Sequence, residues 1–373
     1  MTEDTRYILR LDRNFAGFYT KAARISLRSP GLLWQFIRSA RWYRKASRIR
    51  TRLAEEGVRV PPIIIFSITN RCNLNCTGCY ARDLDRKAGD DLSAQELDRI
   101  IGEAQDLGVP FFLLAGGEPL VRPEILDITR RYRNITFFLF TNGMLIDDAM
   151  TRIFRKQKNI VPVVSLEGHE SETDGRRGSG MFSRLKEAVG RLRKHRIFFA
   201  LSMTATRRNI SVISADAFVL EMMEQGCKMF LYVEYTPIRE ETRDWIPTDT
   251  QREDLDRRVK GFRERYPAMF VSLPGDEDQF GGCISSGRGF VHISADGRLE
   301  PCPFAPFSDV SLKEMPLKDA LKSRLLAVIR ENVDQLEEGP GGCSLWQKRE
   351  WVESLLGAQS ESGPGLLEKE RSS

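Results

Sequence analysis

Between about residues 60 and 235 the chain repeats one alternation six times: a short apolar run closed by small or polar residues, then a stretch with helical spacing. The runs are PPIIIFSIT (61–69), VPFFLLAGGEP (109–119), ITFFLFTNG (135–143), IVPVVSLEG (160–168), IFFALSMTAT (197–206) and MFLYVEYTP (229–237). A continuous apolar run bounded by Pro and polar residues is what a strand buried on both faces requires. The stretches between them read as helices. The clearest begins with a capping box, Ser93 to Glu96, followed by Leu97, Ile100, Ile101 and Ala104 on one face. Others fall near 123–132, 147–157 and 212–225. Six strands alternating with helices predict a parallel α/β array of barrel or half-barrel type.

In such arrays the C-terminal strand ends carry the chemistry. Here those ends are a cysteine-rich loop, Gly-Gly-Glu-Pro, Thr-Asn-Gly, Ser-Leu-Glu-Gly, Ser-Met-Thr and Glu-Tyr-Thr-Pro. Any one of them could be only a turn, but six in register point to one site. Beyond about residue 265 the pattern changes. FVHISADGRLEPC (290–302) reads as a hairpin around Ala-Asp-Gly, with a helix near 317–331 and a last helix to about 356. The expected division is a basic helical extension over 1–57, a core over 58–265, a smaller α+β unit over 266–356 and a polar, disordered tail over 357–373.

Cys72, Cys76 and Cys79 lie on the loop after the first strand, spaced C-x3-C-x2-C. Seven cysteines in a long chain without a recognisable secretion signal favour metal ligation or catalysis over disulfides. A structural zinc needs a fourth nitrogen or sulfur ligand close by, and the three histidines, at 169, 195 and 292, are all remote. A redox thiol motif needs only two cysteines. An iron–sulfur cluster held by three thiolates fits best, because its fourth iron can take an exogenous ligand.

With GGEP (116–119) closing the second strand, this triplet resembles the signature of the radical S-adenosylmethionine (SAM) enzymes. TNG (141–143), SLEG (165–168) and TDGRRGSGMF (173–182) are similar to that family as well, over about residues 60 to 240. The resemblance implies a partial (β/α)6 TIM-type barrel and a [4Fe–4S] cluster on Cys72, Cys76 and Cys79. It also implies SAM on the open iron, one-electron cleavage to methionine and a 5′-deoxyadenosyl radical, and abstraction of a substrate hydrogen atom. Gly116, Gly117, Glu118 and Pro119 would meet the SAM amino group, Gly116 and Gly117 letting the backbone approach a small ligand and Glu118 neutralising the ammonium or orienting the loop. Ser165 and Glu167 would meet the ribose, with Asn142 and Ser202 as further candidates. Arg176 and Arg177 are candidates for the SAM carboxylate. The chain departs from the family at Gly78, where an aromatic usually precedes the third cysteine; Tyr80 follows it instead.

The C-terminal unit resembles the SPASM or twitch extensions of the same family. Cys283 precedes the hairpin and Cys302 closes it, while Cys343 is the one later cysteine. That set implies one auxiliary iron–sulfur cluster, with a structural zinc or an unligated set as the alternative. Cys227 is expected to pack as a small apolar residue.

Between Asp12 and Glu55 there are eleven Lys or Arg residues and no acid. Residues 29–53 read as a helix from near Gly31, with Arg38, Arg41, Lys45, Arg48 and Arg52 on one stripe and Leu33, Phe36, Ile37, Ala40 and Tyr43 on another. That pattern suits an anionic membrane surface, a helix packed on the barrel, or an acidic or phosphorylated substrate. Nucleic acid is not expected. No run of about 18 apolar residues is present. The expectation is a cytoplasmic radical SAM oxidoreductase, peripheral at the inner face of the membrane if its helix docks there. Its substrate would be a peptide or a lipid-linked small molecule, and its electrons would come from a flavodoxin- or ferredoxin-type donor. The rival reading is a non-catalytic iron–sulfur or zinc scaffold, for which GGEP would have no use.

Overall fold

The computed structural model describes residues 7, 10–11, 17, 19–25, 27, 30–84, 90–273, 282–336 and 343–357. The six expected runs are strands β1 (Ile63–Thr69), β2 (Phe111–Gly116), β3 (Thr136–Thr141), β4 (Ile160–Ser165), β5 (Ala200–Ala205) and β6 (Met229–Glu234). A seventh, β7 (Met269–Leu273), extends the array past residue 265, where the sequence pattern had ended. The hairpin strands β8 (Phe290–Ile293) and β9 (Leu299–Glu300) complete one open sheet of order β7-β6-β5-β4-β3-β2-β1-β8-β9. Strands β1 to β7 run parallel, β8 pairs parallel with β1, and β9 is antiparallel to β8. This is a mixed α/β, partial-barrel architecture, and the hairpin of the C-terminal unit hydrogen-bonds directly to its first strand.

Both faces of the sheet are covered, which is why its strands read as continuous apolar runs. Outward-facing Ile64, Phe66, Phe112 and Phe137 are fully buried with Leu97, Ile100 and Ile101 of helix α2 (Ala94–Asp106) in the main core. The Ser93–Glu96 capping box that begins α2 is formed as expected. The inner face carries Phe111, Phe138, Val161, Phe198 and Met229. Helix α1 (Pro30–Glu55) fills that concavity with Phe36 and Tyr43, and Phe36 meets Phe198 edge-on at 5.5 Å. The buried residues of α1, Phe36, Ser39, Tyr43, Ala46, Arg50 and Leu53, recur at three- and four-residue steps. Arg50 donates to the Gly108 carbonyl at 2.7 Å, and Gln35 and Arg38 bond to Arg133 O and Asn134 Oδ1. All three partners precede a strand, so α1 closes the floor of the partial barrel. The apolar side read as a membrane face is therefore committed to the protein itself, and Ile37 is the member of it left exposed.

The longer helices that follow are α3 (Glu124–Arg131), α4 (Asp148–Lys156), α5 (Glu170–Arg177), α6 (Met181–Lys194), α7 (Asp216–Glu224), α8 (Asp249–Arg265), α9 (Arg324–Glu331) and α10 (Arg349–Gly357), with short helical turns at Tyr80–Asp83, Ile210–Ile213, Leu317–Ala320 and Ser344–Gln347. The single helix expected near 317–331 is two, because the Ser323 hydroxyl accepts from Leu326 N and starts α9 afresh. The expected tail falls outside the described residues beyond Gly357, which ends α10.

Across the β1–β8 seam, three buried polar side chains are bonded in series. Ser67 Oγ lies 2.8 Å from His292 Nε2, and His292 Nδ1 lies 2.7 Å from Glu300 Oε2. Buried polar groups demand such partners.

Because α1 is docked through Phe36, Phe36→Ala should destabilise the protein by about 3–5 kcal/mol in urea unfolding. Ile37→Ala, one residue along and exposed, should change stability by less than about 0.5 kcal/mol. Equal effects would mean that α1 is not the floor.

Candidate active site

The site is built where β1 runs out. A register shift between Ser67 and Thr69 turns the chain as it enters the cysteine loop. Arg122, buried beneath, donates to the carbonyls of Ile68 and Leu92 at 3.1 and 2.7 Å. Asp91 accepts from Thr69 Oγ1 at 2.5 Å and Asn70 N at 3.3 Å.

Residues 116–119 clamp the same entry. Gly117 N donates to Thr69 O at 2.7 Å, and Glu118 N to Arg71 O at 2.9 Å. Gly116 has φ +120°, and a Cβ there would stand 2.4 Å from Thr69 O; one at Gly117 would stand 2.1 Å from Arg71 O. The close approach these glycines permit is thus to the chain's own backbone, not only to a ligand as the sequence suggested. Glu118 is buried, and both its oxygens are engaged: Oε1 accepts from Leu120 N and Thr141 Oγ1, Oε2 from Asn142 N at 2.7 Å. Burial pushes its carboxyl pKa up, against those hydrogen bonds and the charge of Arg177. Its role here is to tie the end of β2 to the end of β3. Pro119 is buried in the short turn that follows. Asn142 donates to Asn73 Oδ1 at 2.7 Å and approaches Cys72 Sγ at 3.9 Å, so this expected site residue does reach the cysteine loop.

The far side of the loop is held by charge. Thr77 N donates to Arg176 O at 2.9 Å. The Arg176 guanidinium bonds to Glu167 Oε1 at 2.5 Å, Thr204 Oγ1 at 3.0 Å and Gly78 O at 3.4 Å. Arg177 grips the same Glu167 oxygen through Nε at 3.0 Å and its terminal nitrogen at 2.5 Å. Glu167 Oε2 accepts from Thr204 N. Sequence reasoning put Glu167 on a ribose and the two arginines on a carboxylate of the ligand; the structure joins these three residues to one another. Burial works against the charge on Arg176, yet Glu167 and the thiols of Cys76 and Cys79 raise its pKa. Its Nε is buried without a partner, which leaves one donor for a group brought to the site. Ser165, which ends β4, pairs with Ser202 in the middle of β5, and both are half-buried.

Cys72 is exposed and Cys76 and Cys79 are half-exposed, and none of the seven cysteines forms a disulfide. The Cys72 thiol is pushed up by burial, and further by Glu118 and the other two thiols, so the three sulfurs share one electrostatic environment. Among the described residues no three His, Cys, Asp or Glu side chains are drawn together as a metal-ion site.

The second trio is also gathered. Cys302 and Cys343 are buried in one apolar cluster with Leu325 and Ile329. Burial raises the Cys302 thiol, while the hydrogen bond it gives Cys343 lowers the latter. Cys283 lies close enough to act on Cys302 and bonds to Ser285 Oγ at 3.2 Å. Tyr80, next to Cys79, packs on Phe304, two residues beyond Cys302, with ring centroids 4.7 Å apart. Cys227 is fully buried with its thiol pushed up to about 12, as a packing residue would be.

Arg122 and Asp91 carried no sequence signal, while Thr204 and Tyr235 lay in the strand-end clusters Ser-Met-Thr and Glu-Tyr-Thr-Pro without being singled out. A Cβ at Gly78 would meet Tyr235 Oη at 2.6 Å, so an aromatic from the end of β6 takes the space beside that glycine. The glycine before Cys79 is the trace that could have pointed to it.

Residues 66–208 match the radical SAM superfamily. The chain therefore carries a radical SAM domain over that stretch. It is 25% identical over 311 residues to the AdoMet-dependent heme synthase of Methanosarcina barkeri, covering 76% of this chain and 88% of that one. It is 26% identical to the PqqA peptide cyclase of Granulibacter bethesdensis, covering 65% of this chain and 68% of that one. Its fold is similar to Streptococcus suis SuiB bound to S-adenosylmethionine, with TM-score 0.63, 18% identity, and coverage of 93% of this chain and 87% of that one. The cofactors of this superfamily are a [4Fe–4S] cluster and SAM. The site suits them: three thiols share one loop at the barrel mouth, the largely covered Arg176 guanidinium faces two of them, and its buried Nε–H is unspent.

Glu167→Ala would leave Arg176 and Arg177 buried without their shared carboxylate. It should cost about 3–5 kcal/mol in urea unfolding and lower iron uptake by the cysteine loop. Glu170→Ala, exposed on the same turn, should change neither; unchanged stability in Glu167→Ala would show that the clamp is not holding the loop.

Proposed function

We propose that Cys72, Cys76 and Cys79 hold the [4Fe–4S] cluster, and that the enzyme uses it to oxidise or couple a peptide or small-molecule substrate. The observation that carries this is the cysteine loop pinned by residues 116–119 on one side and by Arg176 on the other, at the C-terminal end of β1. When bound, the cluster and SAM supply a 5′-deoxyadenosyl radical that takes a hydrogen atom from the substrate. The chain supplies position. Asn142 and Glu118 fix the near side of the loop, and the unspent Nε–H of Arg176 is offered to the SAM carboxylate. Ser165 at the end of β4 and its β5 neighbour Ser202 are left as the hydroxyls for the ribose, and Tyr235 as the aromatic wall beside Gly78. Cys283, Cys302 and Cys343 form the auxiliary iron–sulfur site of a SPASM- or twitch-like unit, and a flavodoxin- or ferredoxin-type protein delivers the electron.

The PqqA peptide cyclase among the relatives supports a peptide substrate. The heme synthase, similar over a longer stretch, supports a tetrapyrrole as the small-molecule alternative.

Anaerobic reconstitution with iron and sulfide, reduction, and addition of SAM should release 5′-deoxyadenosine. Cys76→Ala should abolish that release, and product no higher in the wild type than in Cys76→Ala would refute the enzymatic reading. The Cys283→Ala/Cys302→Ala/Cys343→Ala variant should bind roughly half the iron yet still release 5′-deoxyadenosine. Unchanged iron content would remove the auxiliary cluster.

A further inference from the structure

Packing α1 against the barrel floor disposes of one side of the helix and displays the other. The displayed stripe runs Trp34, Ile37, Arg41, Lys45, Arg48 and Arg52, at three- and four-residue steps, with Arg44 beside it. Trp34 is 62% exposed and Ile37 37%, and Leu27, just ahead of the helix, is 67% exposed. These are three of the five large apolar side chains exposed among the described residues. Arg52 meets Glu56 at 3.7 Å. Arg41, Arg44, Lys45 and Arg48 have no acidic partner among the described residues. The stripe is therefore a line about 27 Å long, at 1.5 Å per residue, apolar at one end and cationic along the rest.

We propose that this stripe docks the protein on an anionic lipid bilayer. A helix lying in the headgroup plane needs a Trp and aliphatic side chains to enter the interface and unpaired cations to meet acidic headgroups. A polyanion such as nucleic acid would use the cations but leave Trp34, Ile37 and Leu27 in water. The helix is already folded and fixed by Phe36, Tyr43 and Arg50, so docking requires no helix to form on the membrane. The stripe also sets an orientation. It lies at the N-terminal ends of strands six to seven residues long, so the cysteine loop sits about 20 Å away on the opposite end. The mouth faces water, and the substrate arrives from there and not from the lipid beneath. This last step alone rests on the active-site reading above.

The test is co-sedimentation of the full chain with phosphatidylcholine vesicles, with and without phosphatidylserine. The expected result is binding to the serine-containing vesicles, at least about tenfold weaker on phosphatidylcholine alone and falling as salt is raised. Arg41→Glu/Lys45→Glu/Arg48→Glu should lose at least about tenfold, and Trp34→Ser a smaller factor, both with the parent's thermal unfolding curve. Cys76→Ala should bind like the parent, which separates docking from chemistry. Equal binding to both vesicle types overturns the proposal, as does a charge-reversed variant that binds like the parent. So does failure on phosphatidylserine by a chain that captures duplex DNA or polyglutamate through the same residues.

Discussion

Two backbone hydrogen bonds, from Gly117 N to Thr69 O and from Glu118 N to Arg71 O, carry the β1–β2 pairing past the strand ends and into the cysteine loop. Everything else at the site depends on that continuation. A loop bearing three cysteines has no apolar core of its own to hold it, and thiols that must present one face to a cofactor cannot be left to wander. Only glycine lets the two backbones come this close. The loop thereby inherits the rigidity of the sheet, and the Glu167–Arg176–Arg177 cluster fixes its other side from β4 and α5.

Much of this was legible beforehand because burial on both faces removes polar residues from a strand, so six strands stood out as unbroken apolar runs. The seventh did not: Met269–Leu273 is short and follows a highly charged helix, α8, leaving little contrast. The cysteine spacing and GGEP were readable as chemistry. Their mechanical roles were not, because Gly117 against Arg71 and Glu167 against two arginines are contacts between segments far apart in sequence. The same limit applied to α1. Its two stripes were visible, but which one met the protein depended on the aromatic floor supplied by Phe111, Phe138 and Phe198. Phe36 and Ile37 are adjacent and both apolar, yet one is core and the other surface.

The seam between β1 and β8 also bears on how such a protein could change over time. The hairpin belongs to the C-terminal unit by sequence, yet it is a strand of the first unit's sheet, and Ser67, His292 and Glu300 are bonded across the join. A foreign C-terminal unit would have to bring a strand that fits the edge of β1 and a partner for Ser67. Without these it would strand buried hydrogen-bonding groups. The units bearing the two cysteine sets are thus joined through one sheet, and exchange of one for that of a relative is constrained first by a strand edge, before any question of chemistry.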